Sequence, residues 1–404
     1  MLEWVHLRYR TRLMPLLALF LVLFASSAMA GNLFEVLGTS EEVTPAQNPA
    51  VRVIVNDASL LRDDSHVTLD GISYPLRRIA IEWRTGGDFK AELAIGSATF
   101  VSVLTRHAGY YAGVLYSPDG SPHELIPDAD GQTLRRARYA PFRCHVNSAA
   151  FTGKVAASPA PLPRPRRRAA GWNGYIVDLA EFWTPRAESV LGGRGPTEAF
   201  IRNAVDILNS DTRQSGISNL VFRLVYLGSL DVVESAFPSG DLHALTVSQD
   251  VADVRANVGA DLAGLWTDGV AAAANAPQWR SAFTRDNSFH TVSIRYSPAE
   301  HAYSHEIFHN FGGQHNEEAL YGSLTSAFVD QYPFARDMCT ENWITILAYP
   351  TCVPTTRQLP VIPHITNPDL QYDGVPLGER EKMDNVRMVR LSTPWIADYY
   401  PSVP

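Results

Sequence analysis

The sequence predicts a small all-β domain followed by an α/β or α+β domain built on one mixed sheet. Its 404 residues suffice for two domains with separate cores. Short β-prone segments bounded by turn residues recur between residues 45 and 140. From residue 171 onward, β-prone segments are interleaved with helical patterns instead. With 46% hydrophobic and 19% charged residues, the composition is that of a globular protein without long disorder.

Residues 1–30 have the features of a secretory signal peptide. Arg8, Arg10 and Arg12 precede an apolar segment at 13–25, and residues 28–30 form an A-x-A cleavage pattern. A membrane anchor is the alternative, but this segment is shorter than the roughly 20 residues that a bilayer requires. No second segment of spanning length follows. We therefore expect a mature protein without a membrane span that is secreted, to the exterior or to the periplasm.

The all-β domain is predicted over residues 31–155. Val51, Val53 and Val55 occupy alternate positions, as in a half-buried strand. Residues 100–104 form another β-prone segment. The sequence Ser-Pro-Asp-Gly at 117–120 is a strong turn signal between two more.

Residues 156–170 are predicted to be an extended, exposed linker, because they are rich in proline and have no hydrophobic periodicity. Arginine occupies positions 164, 166, 167 and 168. Two interpretations stay open. The arginines are a solvated run of charge, or they mark a processing site, since proteases act on exposed flexible segments.

The second domain is predicted over residues 171–404. A strand at 175–182 is broken by Thr184-Pro185, and apolar residues at helical spacing follow over 196–209. Residues 220–227 are nearly all β-prone, as in a buried strand. A further helix at 251–258 and strands at 262–266 and 291–296 complete the pattern. This mixture of strands and helices indicates a single mixed sheet.

The pattern H-E-x-x-H-x-x-G-x-x-H begins at His305. Residues 297–300 (Ser-Pro-Ala-Glu) predict the helix start, with a capping box and proline in the first turn. His305 and His309 are four residues apart, so both imidazoles lie on one face and can reach one ion. Gly312 can adopt a positive φ and end the helix, which returns His315 toward the other two.

Three imidazoles leave a tetrahedral Zn²⁺ with one open position, which is the arrangement of a catalytic site. Glu306 lies next to the first histidine and points toward the same site without having to be a ligand. The alternative is three ordinary histidines on an amphipathic helix and at its exit. Five fixed positions of uncommon residue types make such a chance match rare.

This motif resembles that of the metzincin metallopeptidases. In that clan the three histidines bind zinc and the glutamate is the general base. The resemblance therefore implies that His305, His309 and His315 are the metal ligands and that Glu306 is the base.

The resemblance extends over about residues 171–400. Residues 345–349 resemble the metzincin Met-turn, and residues 367–387 resemble the C-terminal part of secreted bacterial reprolysin-like (adamalysin-type) peptidases. It implies a metzincin-like catalytic domain with an active-site helix. The β-rich N-terminal half resembles the pro-domain of those peptidases.

Three positions depart from the family. Leu347 replaces the methionine that forms an apolar base under the imidazoles, a nearly volume-conserving change that usually costs under about 1.5 kcal/mol. Asn316 stands where adamalysins usually have aspartate, which weakens an outer contact to a ligand. Phe308 stands where the family often has glycine. Leu347 and Phe308 support the alternative function, a catalytically inactive metzincin-like secreted binding protein.

Tyr349 has two interpretations. It is an aromatic residue of the core or rim of the turn, which the adamalysin resemblance favours. Alternatively it approaches the metal and donates to the developing oxyanion, as the equivalent tyrosine does in astacin- and serralysin-like members.

The three cysteines form one candidate disulfide pair and leave one cysteine over. Cys339 and Cys352 flank the turn, and a disulfide between them would stabilise the fold by roughly 3 kcal/mol in the loop-entropy model. Cys144 is then left alone in an oxidising compartment. It is a buried or incidental cysteine, or its thiolate fills the open zinc position and keeps a precursor latent. Arg143-Cys144 resembles the core of such cysteine switches.

These inferences predict a secreted zinc-dependent endopeptidase that is made as a precursor. It would hydrolyse peptide bonds with a metal-activated water and Glu306 as general base. Its substrates would be proteins or peptides that pair with an edge strand of the sheet. The formal charge of −8 argues against a general nucleic-acid binder.

Overall fold

The computed structural model describes residues 31–39, 50–137, 144–147, 174–277, 282–296, 298–317, 331–338, 342–350 and 359–401. They form a mixed α/β structure with a large antiparallel sheet, a smaller mixed sheet and few helices. The signal peptide and the linker predicted from the sequence lie outside these residues, as do Cys339 and Cys352.

The first nine strands form one antiparallel sheet in the order β1-β2-β9-β8-β7-β6-β5-β4-β3. They are β1 (Phe34–Thr39), β2 (Val51–Val55), β3 (His66–Leu69), β4 (Ile72–Trp83), β5 (Phe89–Ile95), β6 (Ser102–His107), β7 (Tyr110–Tyr116), β8 (Pro122–Asp128) and β9 (Gly131–Arg136).

The two ends of this sheet meet. The backbone N–H of Leu33 donates to the carbonyl of His66 at 2.8 Å, and the N–H of His66 donates to the carbonyl of Gly31 at 2.7 Å. The sheet therefore closes into a barrel, and alternate side chains point into its core. Val53 and Val55 are buried while Ile54 is 48% exposed, as the alternation in β2 predicts.

The second sheet has six strands in the order β10-β14-β15-β13-β11-β12. They are β10 (Cys144–Asn147), β11 (Tyr175–Trp183), β12 (Leu220–Ser229), β13 (Leu262–Thr267), β14 (Ala272–Asn275) and β15 (Phe289–Ser293). Only β14 runs against its neighbour β15, and β10 pairs in parallel with β14. A chain segment that follows the barrel thus forms an edge strand of the sheet of the second half.

The helices are α1 (Pro185–Val190), α2 (Arg194–Gln214), α3 (Pro238–Val247), α4 (Gln249–Val258), α5 (Ala302–Asn310) and α6 (Asn385–Ile396). Two short hairpins add β16 (Asp337–Met338), β17 (Trp343–Ile344), β18 (Gln371–Tyr372) and β19 (Val375–Pro376). The strand break at Thr184-Pro185 is the start of α1, where the Thr184 hydroxyl accepts a bond from the Ala187 N–H at 3.0 Å. Helix α2 packs between the barrel strands β6 and β7 and the second sheet.

A buried polar cluster ties β11, β13 and β15 to α5. The Glu181 carboxylate accepts bonds from Tyr303 Oη at 2.8 Å and from Trp266 Nε1 at 2.9 Å, and His290 Nε2 lies 3.3 Å from it. Gly264 makes room for this cluster, since a Cβ there would lie 2.3 Å from both Glu181 Oε2 and His290 Nε2.

We expect Gly264→Ala to lower the free energy of unfolding by about 1–3 kcal/mol, because the added methyl group overpacks this cluster. Gly269→Ala is the matched control on the same chain segment, since its Cβ would meet only the Thr267 hydroxyl at 3.2 Å. Urea denaturation of both variants measures the difference. Equal effects of the two substitutions would show that the cluster does not constrain this position.

Candidate metal centre

Helix α5 begins at Ala302, later than the predicted start at 297–300. Residues 298–300 form a separate 3₁₀ turn, and His301 adopts a left-handed conformation with φ 54°. The His301 ring fixes this conformation, with Nδ1 2.8 Å from Asp211 Oδ2 and Nε2 2.9 Å from the Tyr116 hydroxyl. Tertiary contacts therefore override the local capping signal.

The imidazoles of His305, His309 and His315 converge on one point. Helix α5 places the first two on one face, and Gly312 follows with φ 87°, so the chain turns back and returns His315. The Nε2 atom of His309 lies 3.0 Å from Nε2 of His305 and 3.0 Å from Nε2 of His315. The third pair of Nε2 atoms is 3.2 Å apart.

The hydrogen bonds of two rings show which nitrogens carry protons. The Nδ1–H of His305 donates to the carbonyl of Ile346 at 2.6 Å, and the Nδ1–H of His309 donates to the carbonyl of Gly313 at 2.8 Å. Burial lowers the pKa of His309 to about 4 and holds the pKa values of His305 and His315 well below the usual range. At neutral pH the rings are therefore uncharged, and Nε2 of His305 and of His309 is an unprotonated acceptor.

Unprotonated nitrogens this close together repel each other unless a cation lies between them. A tetrahedral zinc ion with Zn–N bonds of about 2.0–2.1 Å would separate its nitrogen ligands by roughly 3.3 Å. The donor set and its spacing therefore fit a zinc ion, and the backbone carbonyls of Ile346 and Gly313 orient the rings of His305 and His309.

Cys144 and Glu306 complete the centre. The Cys144 sulfur and one ligand nitrogen from each of the three imidazoles all lie within 4.8 Å of one another. The thiol donates to Glu306 Oε2 at 3.2 Å. Burial raises the pKa of both groups above their usual values. The structure thus brings the Cys144 sulfur close to the point where the three imidazoles converge.

Tyr349 lies beside the imidazoles, with its ring centroid 4.5 Å from that of His315. Its hydroxyl accepts a bond from the Cys144 N–H at 2.6 Å. Its own N–H donates to Asn316 Oδ1 at 2.9 Å. An asparagine thus supplies the same kind of oxygen acceptor that an aspartate would supply here, and it anchors the turn that carries Tyr349.

Leu347 is fully buried, as is Phe308 on the core side of α5. A Cβ on Gly313 would lie 2.6 Å from Leu347 Cδ1, so the leucine packs closely against the residue whose carbonyl orients His309. Leu347 therefore lies against the backbone of the turn that leads from α5 to His315.

We expect Leu347→Met to change the free energy of unfolding by less than about 1.5 kcal/mol, because the two side chains fill similar volumes. Peptidase activity should change only modestly. Urea denaturation and a peptide-cleavage assay measure the two effects. A change from an inactive to an active protein would instead favour the binding-protein alternative.

Several contacts of this centre escaped the sequence analysis. The carbonyls of Ile346 and Gly313 have no sequence signature, although a second glycine after Gly312 hints at a close backbone approach. The Asp211 carboxylate contacts both the His301 ring and the Ser304 hydroxyl. The signal available in the sequence for this contact was an aspartate beside the apolar stripe of α2.

Comparison with known proteins gives distant relatives. No family model matches the chain. A peptidyl-Asp metalloendopeptidase of Pseudomonas aeruginosa is 24% identical over 249 residues, which are 56% of this chain and 40% of that protein. A protein of the same name from Stenotrophomonas maltophilia is 28% identical over 107 residues, 26% of this chain and 24% of its own length. Each match thus spans less than half the length of the relative. Over the matched residues, the chain is similar to metal-dependent endopeptidases.

Two solved structures show weak similarity. One is described as the structure of a chaperone-substrate complex, with a TM-score of 0.45 and 17% identity over 76% of this chain and 41% of that chain. The other is metalloproteinase-II from Bacteroides fragilis, with a TM-score of 0.39 and 8% identity over 62% of this chain and 80% of that chain. At these scores neither structure defines the fold of this chain. Among the described residues, no helix is long and apolar enough to cross a bilayer.

Proposed function

We propose that this chain is a secreted zinc-dependent endopeptidase of the metzincin type, resembling reprolysin-like peptidases and made as a latent precursor. The observation that carries the proposal is the convergence of three buried, uncharged imidazoles beside the carboxyl group of Glu306. The distant relatives named metalloendopeptidases support a metal-dependent peptidase.

His305, His309 and His315 would hold the zinc ion, which when bound supplies a Lewis acid and lowers the pKa of water. Glu306 accepts the proton of the attacking water and passes it to the leaving amine. Tyr349 can turn its hydroxyl from the Cys144 backbone to the developing oxyanion once that backbone has left. Each of these residues lies in or against the cluster described above.

Strand β10 is the part of the chain that would keep the precursor inactive. It covers the edge of β14, where an extended substrate would otherwise pair its backbone with the sheet. Cys144 at its first position places a thiol among the imidazoles. We infer that cleavage among Arg164 to Arg168 disconnects this segment from the second half and allows it to leave.

The test of this function is cleavage of peptides by the chain after it has been cut in the linker. Both relatives are named for aspartate, so matched peptides with Asp or Asn at one position are the first substrates to compare. We expect cleavage that 1,10-phenanthroline abolishes and added zinc restores, because the chelator removes the ion from the histidines. Cleavage that survives complete removal of metal would contradict the proposal.

Export is tested separately. Mass spectrometry of the protein recovered from the culture medium or periplasm should show an N-terminus close to Gly31, after removal of residues 1–30. Recovery of the full chain only from the cytosol would remove secretion from the proposal and leave the peptidase intact.

A further inference from the structure

A cavity of about 530 Å³ lies where the barrel meets helix α2 and strand β12. Its walls come from β5 and from the end of β4 with the residue that follows it on one side, and from α2, β11 and β12 on the other. Basic side chains dominate its charged lining; they are Arg84, Lys90, Arg202, Arg213 and Arg223. The cavity is remote in sequence from the metal motif and shares no lining residue with it.

Two of the five cations have carboxylates of their own. Arg84 makes a bidentate contact with Asp206, at 2.6 and 3.0 Å, and also lies 3.4 Å from Glu82. Arg223 makes a bidentate contact with Asp178, at 2.7 and 3.0 Å. The positive charges of these two guanidinium groups are therefore balanced by carboxylates of the protein itself.

The positive charges of the other three side chains are balanced less completely by carboxylates in contact with them. Lys90, at 3.0 Å, and Arg213 share the single carboxylate of Glu92. Arg202 forms no hydrogen bond or ion pair within the described part of the chain, and its Nε is buried without an acceptor. Burial lowers the pKa of Arg202 and the neighbouring Arg84 adds to the effect, whereas the carboxylates of Glu198, Asp88 and Asp206 act in the opposite direction. Arg202 thus has carboxylates in its neighbourhood but none in hydrogen-bond contact among the described residues, and its buried Nε donor is unused.

An unused guanidinium donor beside partly compensated ammonium and guanidinium groups is a favourable site for an oxyanion. We propose that this cavity binds a phosphate group, with Arg202 as its principal donor and with Lys90 and Arg213 turning toward it. The volume admits either inorganic phosphate or a phosphate carried on a larger molecule such as a sugar. Because the barrel and the second half both supply cations, a bound phosphate also holds the two parts together.

Titration calorimetry of the full chain with inorganic phosphate, and separately with glucose 6-phosphate, tests this proposal. Potassium chloride of equal ionic strength corrects for screening of surface charges. We expect Arg202→Gln to weaken phosphate binding at least about tenfold, because it removes a charged donor from a partly buried site. Arg77→Gln is the matched control, an exposed barrel arginine outside the cavity, and should leave the affinity unchanged.

Thermal unfolding gives a second measurement on the same proteins. Phosphate should raise the Tm of the wild type and of Arg77→Gln but not that of Arg202→Gln. Tighter binding of glucose 6-phosphate would identify a carried phosphate as the ligand, and equal binding would identify the free ion. No phosphate binding by the wild type, or equal loss in both variants, would overturn the proposal.

Discussion

The Glu306→Gln protein is expected to cleave peptides at least about a hundredfold more slowly than the wild type while it keeps its zinc. General-base catalysis contributes roughly 10²–10⁴-fold, and a glutamine amide of nearly the same shape cannot accept the proton. The zinc content should not change, because the proposed metal ligands are His305, His309 and His315 and not Glu306. The measurements are kcat with a fluorogenic peptide and zinc per chain, both on protein cut in the linker.

Glu317→Gln is the control for this variant, since Glu317 is an exposed glutamate shortly after the motif. It should leave both kcat and zinc content at the wild-type values. Turnover close to wild type in Glu306→Gln would show that another group accepts the proton, and the proposed mechanism would be wrong.

The Cys144→Ser precursor is expected to cleave peptides before any processing, whereas the wild-type precursor should be silent. A thiolate is a strong zinc ligand, and a serine hydroxyl at the same place is a poor one. The Cys144 sulfur already lies within 4.8 Å of the three ligand nitrogens, so no large movement is needed to close the fourth position. Activity is measured on precursors whose arginines 164, 166, 167 and 168 are replaced by alanine, which prevents cleavage of the linker.

Cys144→Ala serves as a second variant, because it removes the sulfur without leaving a hydroxyl. Both variants should be active while uncut. If both stay as silent as the wild type, then coverage of β14 by β10, rather than the thiol, keeps the precursor inactive. That result would remove the switch without affecting the zinc-peptidase proposal.

The local sequence pattern predicts several of the strands and helices and the three imidazoles that converge at the centre. Alternation of apolar residues located strands such as β2, and helical spacing located α2, although α2 extends to 194–214 beyond the predicted 196–209. The spacing of His305, His309, Gly312 and His315 was enough to place three imidazoles together, because helix geometry and a positive φ fix their relative positions.

Features that depend on contacts between residues far apart in the chain could not be predicted from the sequence. Alternation shows which face of a strand is buried but not its neighbour, so neither the closure between Leu33 and His66 nor the pairing of β10 with β14 was predictable. The start of α5 was misplaced for the same reason. The left-handed conformation of His301 depends on Asp211 and Tyr116, which are remote in the chain.

The central claim is that the three histidines hold a zinc ion, and elemental analysis of purified protein tests it most directly. Inductively coupled plasma mass spectrometry should find one zinc ion per wild-type chain. His309→Ala should contain only background zinc while it keeps the circular dichroism spectrum of the wild type, because two imidazoles cannot replace three. A wild-type protein without zinc, or a His309→Ala protein with as much zinc as the wild type, would contradict the account.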